Sequence, residues 1–350
     1  MMINKLSIPF MLLTGALFYP PVFAQEVPTP QQALQNFGID AAQIAELERG
    51  KIIAYEVSET SQKELAIGVA MILPVALPKI VDYIKLGKLT ATEIDIIASA
   101  PLANADINSF KNFAFTDQQL DEAKAFLEAE PGDEFNLSKS EFDSLKSLQA
   151  SLENADNKTL LAAANQKYRE ILLQRLLAYR KSGLSGIAAY SRENGNVDPA
   201  AELRNEAVNS KSWLRYFPEL QQVWLNYPAA LPPNTTEQFL WLNRKVDGRP
   251  TANLVHRLMV AGKGGGIVVS RQFYVGHSYN SSHSVAGGLP YKGGTLVFYT
   301  THSFSDQVAG MGSSLKHSIG REQMKKVMIK RLQRLNKDLK RKAAMVGSGD

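Results

Sequence analysis

The residues best suited to chemistry gather in one stretch, Gly264–Asp306. It holds His277, His283 and His302, three of the chain's five histidines, together with Arg271, Tyr274 and Asp306. Imidazole changes charge near neutral pH, so these side chains could contact a ligand, move a proton or bind a metal. A metal site needs three or four converging nitrogen or oxygen donors. Neither HxH nor HExxH spacing occurs, so no metal is expected. A hydrolytic set could join Ser303 or Ser305 to His302 and Asp306, but no GxSxG elbow is present. If the chain is an enzyme, the catalytic candidates are His277, His302 and Asp306, with either histidine as general base. The glycine run Gly262–Gly266 leads into a strand where a phosphate loop would lead into a helix, and no cofactor is expected.

Strands must position these groups. Alternation over Gly266–His277 puts Ile267, Val269, Arg271, Phe273, Val275 and His277 on one face and Val268, Ser270, Gln272 and Tyr274 on the other. In Thr251–Ala261, His256 shares a face with Leu254 and Leu258, and Arg257 shares the other with Val255 and Met259. Glu237–Val246 precedes them across an Asp247-Gly248 hairpin turn. A buried charge costs several kcal/mol unless it is matched, so an arginine or histidine on an apolar strand either holds a structural hydrogen bond or meets a ligand's polar group.

The rest of the chain supplies partners for this meander. Lys51–Ser58 and Lys63–Leu73 read as a hairpin, Leu77–Ile84 as a short helix and Thr92–Ala98 as a strand. Thr116–Leu225 is a helical section whose clearest element is Leu160–Lys181, closed by Gly183. Ser313–Ala343 is a long helix with an apolar stripe through Ile319, Met324, Val327, Met328, Leu332, Leu335 and Leu339 and a basic opposite face.

Length and composition suit a globular protein: 350 residues, 45% apolar and 21% charged, with no cysteine. The absence of cysteine excludes disulfides, thiolate nucleophiles and iron–sulfur clusters. Met1–Ala24 carries an early Lys5, an apolar run and a Val22-Phe23-Ala24 ending, which predicts a cleaved export signal and a periplasmic or secreted product. The net charge of +5 is unevenly spread. Asp117–Asp156 holds 11 acidic and 3 basic residues, and Gly312–Asp350 holds 11 basic and 3 acidic. These read as two solvated helix faces that could lie near each other. The basic one is also suited to an anionic membrane surface, and nucleic acid is not an expected partner of an exported chain.

This order, a hairpin and short helix followed by a meander and a long C-terminal helix, resembles the helix-grip arrangement of START-like proteins, the polyketide-cyclase and lipid-transfer superfamily. The strings Tyr274-Val-Gly-His277-Ser-Tyr279 and Ser305-Asp306-Gln-Val-Ala-Gly310 also resemble stretches of exported bacterial proteins of unassigned function. The resemblance implies an α+β fold in which a curved antiparallel sheet grips the C-terminal helix around an apolar cavity. Taken with the residue patterns, this divides the chain into a signal peptide at 1–24, a mobile lead-in at 25–39, one START-like domain at 40–345 with a helical insertion at about 116–225, and a tail at 346–350. The function it implies is binding or carrying an apolar or amphipathic ligand such as a lipid. Arg257, Arg271, Tyr274, His277, Tyr279, His283 and His302 would be the ligand contacts. Two alternatives stand beside it: an enzyme on the same fold using a pocket histidine, and an interaction protein using the helical section. Whether those helices fill or cap the cavity is left open.

Overall fold

The computed structural model describes residues 27–210 and 216–347, so the proposed signal segment lies outside the described residues. Strands β6 (Thr235–Val246), β7 (Arg249–Ala261), β8 (Gly266–Val275), β9 (Ser281–Tyr291) and β10 (Gly294–Phe304) form an antiparallel meander. Two of its hairpins turn on pairs with positive φ, Asp247-Gly248 and Lys292-Gly293, a geometry whose twist matches the flanking strands. The early hairpin of β1 (Ile53–Tyr55) and β2 (Glu64–Leu73) joins through β2 against β10, and β3 (Ile96–Pro101) pairs with β6 at the other edge. The product is one eight-stranded antiparallel sheet in the order β1-β2-β10-β9-β8-β7-β6-β3. With the long C-terminal helix it makes the fold α+β.

Alternation along the strands sorts side chains onto two faces, and helices cover both. One face receives α3 (Leu77–Lys85) and the C-terminal helix, described below as α9 (Ser313–Gly347). There Val69, Met71, Leu73 and Val297 pack on Met328, Leu332, Leu335 and Leu339, with Ile80 and Tyr83 alongside. The opposite face receives the helical section: α4 (Leu120–Leu127), α5 (Lys139–Gln149), α6 (Asn157–Ser182), α7 (Pro199–Asn209) and α8 (Pro218–Leu225). Its larger core joins Phe239, Trp241, Leu254 and Phe273 to the α6 stripe of Tyr168, Ile171, Leu172, Leu176 and Tyr179. A smaller one sets Ala207, Leu220 and Trp224 on Leu258 and Val269. The helical section therefore lies across the sheet from α9 and does not fill the space beneath that helix. A short hairpin inside it, β4 (Tyr190–Arg192) and β5 (Gly195–Val197), has no counterpart in the sequence reading.

Four expectations change. The supposed lead-in contains α1 (Pro30–Asn36), fixed by a Thr29–Gln32 capping box and by burial of Ala33 and Leu34. With α2 (Ala41–Glu48) it packs on Ala70, Leu296 and Phe298. Alternation on β8 breaks at a bulge where Leu254 faces Tyr274 but Val255 faces Gln272, so Phe273 and Tyr274 both enter the helical core. Ile319 is 51% exposed, and the buried stripe of α9 begins about two and a half turns later, at Met328. The acidic stretch and basic α9 are on opposite sides of the sheet. Arg321 and Arg331 of α9 pair instead with Glu59, Glu93 and Asp95.

Candidate functional site

The local sequence of β9 explains where space opens. Facing α9 it presents only Ser284, Ala286 and Gly288, set across from Ser270, Val268 and Gly266 of β8. Little side-chain volume stands there, while α9 rests chiefly on β2, beyond the intervening β10. A cavity results between β6–β10, α3 with its following turn, and α9. Its empty space is ≈ 1150 Å³ including the mouth, of which ≈ 130 Å³ can take the centre of a water molecule. Leu77, Ile80, Ile84 and Leu89 wall one side, Leu242, Val255, Met259, Val268 and Val297 the sheet, and Leu332 and Leu335 the helix. An apolar concavity with a few polar groups is the usual form of a small-molecule site.

The polar groups are Thr92, Glu93, Arg244, Arg257, Ser270, Gln272, Ser284, Tyr299 and Arg331. Two of the arginines are matched. Arg244 pairs with Glu93 and, at 3.0 Å, with Asp95. Arg331 lies 3.3 Å from each of those carboxylates and donates to the Tyr299 hydroxyl at 3.3 Å. Arg257 is different. Its Nε donates to Ser270 Oγ at 3.1 Å, and its Nη1 is buried without a hydrogen-bond partner. It is 5% exposed, and among the described residues no carboxylate pairs with it. Burial pulls its pKa down to about 10. Tyr279 stands just behind, donating to Gln272 Oε1 at 2.5 Å and accepting from Asn253 at 3.1 Å.

On the opposite face the meander carries a row of charge. His302 of β10 sits opposite His283 of β9, His283 opposite Arg271 of β8, and Arg271 opposite His256 of β7. Carboxylates and a phenol join the row. His302 Nδ1 is 2.6 Å from Glu64 Oε1, and its Nε2 is 3.8 Å from Glu206 Oε1. The other Glu206 oxygen is 2.5 Å from His283 Nδ1. Arg271 can only donate, and it does so to Tyr179 Oη at 2.9 Å and to the Trp224 carbonyl at 3.0 Å. The Tyr179 proton is thereby directed to His256 Nδ1 at 3.0 Å, and His256 Nε2–H donates to Glu237 at 3.0 Å. This fixes a neutral His256, and burial pushes its pKa down to about 4. Burial also opposes a charged His302, but Glu64 and Glu206 outweigh it and hold the pKa above the usual value.

Of the candidate ligand contacts, Arg257 alone lines the cavity, with Tyr279 one hydrogen bond away. Arg271, His283 and His302 belong to the row on the far face. Tyr274 lies in the helical core beneath the Arg175 guanidinium, 4.3 Å from the ring centroid. His277, just past β8, donates from Nε2 to Thr251 Oγ1 or Pro250 O, at 2.8 and 3.2 Å, and its Nδ1 accepts from Ser278 Oγ at 2.7 Å. The catalytic trio is not brought together: Asp306 pairs with Lys63 at 2.7 Å and faces Arg192 at 3.6 Å. Among the described residues, no group of three or more His, Asp or Glu side chains is disposed to hold a metal ion.

The sequence reading missed Glu64, Glu206, Glu93 and Arg331. A signal existed for two of them. Glu206 falls on the buried α7 stripe with Leu203 and Ala207, and Arg331 sits beside Leu332 on the cavity side of α9. No family model matches the chain, and no curated protein or solved structure is significantly similar to it.

Glu202, one turn before Glu206, accepts from Asn280 at 2.9 Å and Ser281 at 2.8 Å. Burial outweighs these bonds and raises its pKa to about 7. A carboxyl with a raised folded pKa binds its proton more tightly in the native state. Its contribution is full below the unfolded value of 4.5 and is lost as pH rises to about 7. Glu202→Gln should therefore gain on the wild type by about 2 kcal/mol between pH 5 and 7.5, measured by urea unfolding at both values. A gap that does not widen with pH would show that Glu202 ionises normally.

Proposed function

We propose that this chain is a START-like, helix-grip protein that binds an apolar or amphipathic molecule, such as a lipid, in the cavity beneath α9, and does so after export to the periplasm or beyond. The observation that carries the reading is the small-residue surface of β9 facing Leu332 and Leu335 across empty, apolar-walled space. A core evolved only for stability would fill such a space, because close packing is worth about 24 cal/mol per Å³ of cavity removed. Native mass spectrometry of protein taken from the export compartment should reveal a co-purifying hydrophobic molecule. Ala286→Trp, which projects an indole into the space, should abolish that occupancy while the protein still melts cooperatively. Equal occupancy in the two proteins, or an empty wild type that also fails to take up an added aliphatic probe, would sink the reading.

A further inference from the structure

Arg257 indicates which kind of molecule the cavity would hold. Three guanidinium groups, Arg244, Arg257 and Arg331, line it, and two carboxylates, Glu93 and Asp95, are paired with the first and the last. One positive charge is left over, and it is the one with a buried, unpartnered Nη1. A buried guanidinium without an anion is costly, since its desolvation is not returned by an ion pair. Gln238 of β6 flanks it on one side, but its neighbours toward β8, β9 and β10 are small. Arg257 faces Ser270, Ser270 faces Ser284, and Ser284 faces Thr301. That row carries only short side chains, and the Ser270 oxygen already accepts from Nε, leaving its own proton to donate.

Resting on the reading that the cavity holds an amphipathic molecule, we infer that its occupant is a monoanionic amphiphile, an aliphatic chain with a carboxylate head received by Arg257 and the Ser270 hydroxyl. The carboxylate offers two acceptor oxygens to the guanidinium fork, and its single charge balances the single excess cation. The apolar walls take the chain. A phosphate monoester would bring more charge than the site lacks, and a neutral ester or alcohol would leave the guanidinium uncompensated.

The test compares dodecanoic acid, its methyl ester and dodecyl phosphate by isothermal titration of the full mature chain at pH 8, where the acid is ionised. Wild type should favour the acid over the ester by roughly 30-fold or more, the scale on which a buried charged hydrogen-bond partner counts. Arg257→Met should bind the ester as the wild type does and lose the preference. Arg257→Lys, which keeps charge without the fork, should retain part of it and serves if the methionine variant does not fold. Equal affinity of the wild type for acid and ester, or a preference kept by Arg257→Met, overturns the carboxylate assignment while leaving the cavity reading intact. Tighter binding of the phosphate overturns the single-charge argument. Binding of none of the probes overturns the cavity reading itself.

Discussion

Glu206→Ala should lower the stability of the fold by about 3–5 kcal/mol, because it removes one member of a buried charge network and strands the others. Glu206 is 2% exposed and places one oxygen against each of two histidines. Without it, the His302 imidazolium keeps only Glu64, and the His283 N–H loses its carboxylate. The penalty should also depend on pH. Glu206 has a lowered folded pKa: burial opposes its charge, but His283, His302 and Arg271 prevail. Its contribution is therefore present above its unfolded value of 4.5 and is lost as pH falls through the lower folded one. His302 runs the other way, contributing fully below its unfolded value of 6.5 and losing that as pH rises through its higher folded pKa. The substitution should thus cost most between about pH 4.5 and 6.5. Urea unfolding across that range checks it. A cost below about 1 kcal/mol throughout would mean that the row is not energetically coupled.

Trp224→Ala should cost a similar amount, about 3–5 kcal/mol, by a different route. Trp224 is fully buried, its ring lies 4.3 Å from the Arg271 guanidinium, and its carbonyl accepts from that same group. Truncation leaves a cavity beside a charge and opens the row to water. Trp224→Phe keeps most of the volume and should cost less than half as much. Because Trp224 covers the sheet face opposite the cavity, the folded fraction of either variant should bind dodecanoic acid as the wild type does. A shift in that affinity would mean that the two faces are linked through the strands.

Much of the architecture follows from local patterns. Strict alternation along β6 puts Phe239 and Trp241 on one side and Leu240 and Leu242 on the other. The 3.6-residue stripe of α6 and its Gly183 stop are likewise local. Three things were not legible. The first is the bulge at Leu254–Val255, which turns Tyr274 to the other face: a one-residue irregularity leaves no mark on a pattern of period two. The second is which side of the sheet the helical section covers, because an apolar helix stripe fits either face. The third is partnership. A histidine on a strand reads the same whether it meets a ligand or a glutamate from a helix some eighty residues away, and Glu206 decided that for His283. Arg257 was placed on the correct face with Val255 and Met259 by alternation alone, but its lack of a carboxylate became visible only once Glu93 and Asp95 were seen to be engaged elsewhere.

The short side chains of β9 have one more consequence. The residues that give the cavity its room, Ser284, Ala286 and Gly288, lie on a single strand and add little to the cores on the two faces of the sheet. The charges that hold the far side together lie on the opposite surface of the same strands. Capacity and robustness are thus written in different residues. Under the function proposed here, single substitutions on β9 would change the length of chain the cavity takes without loosening the scaffold.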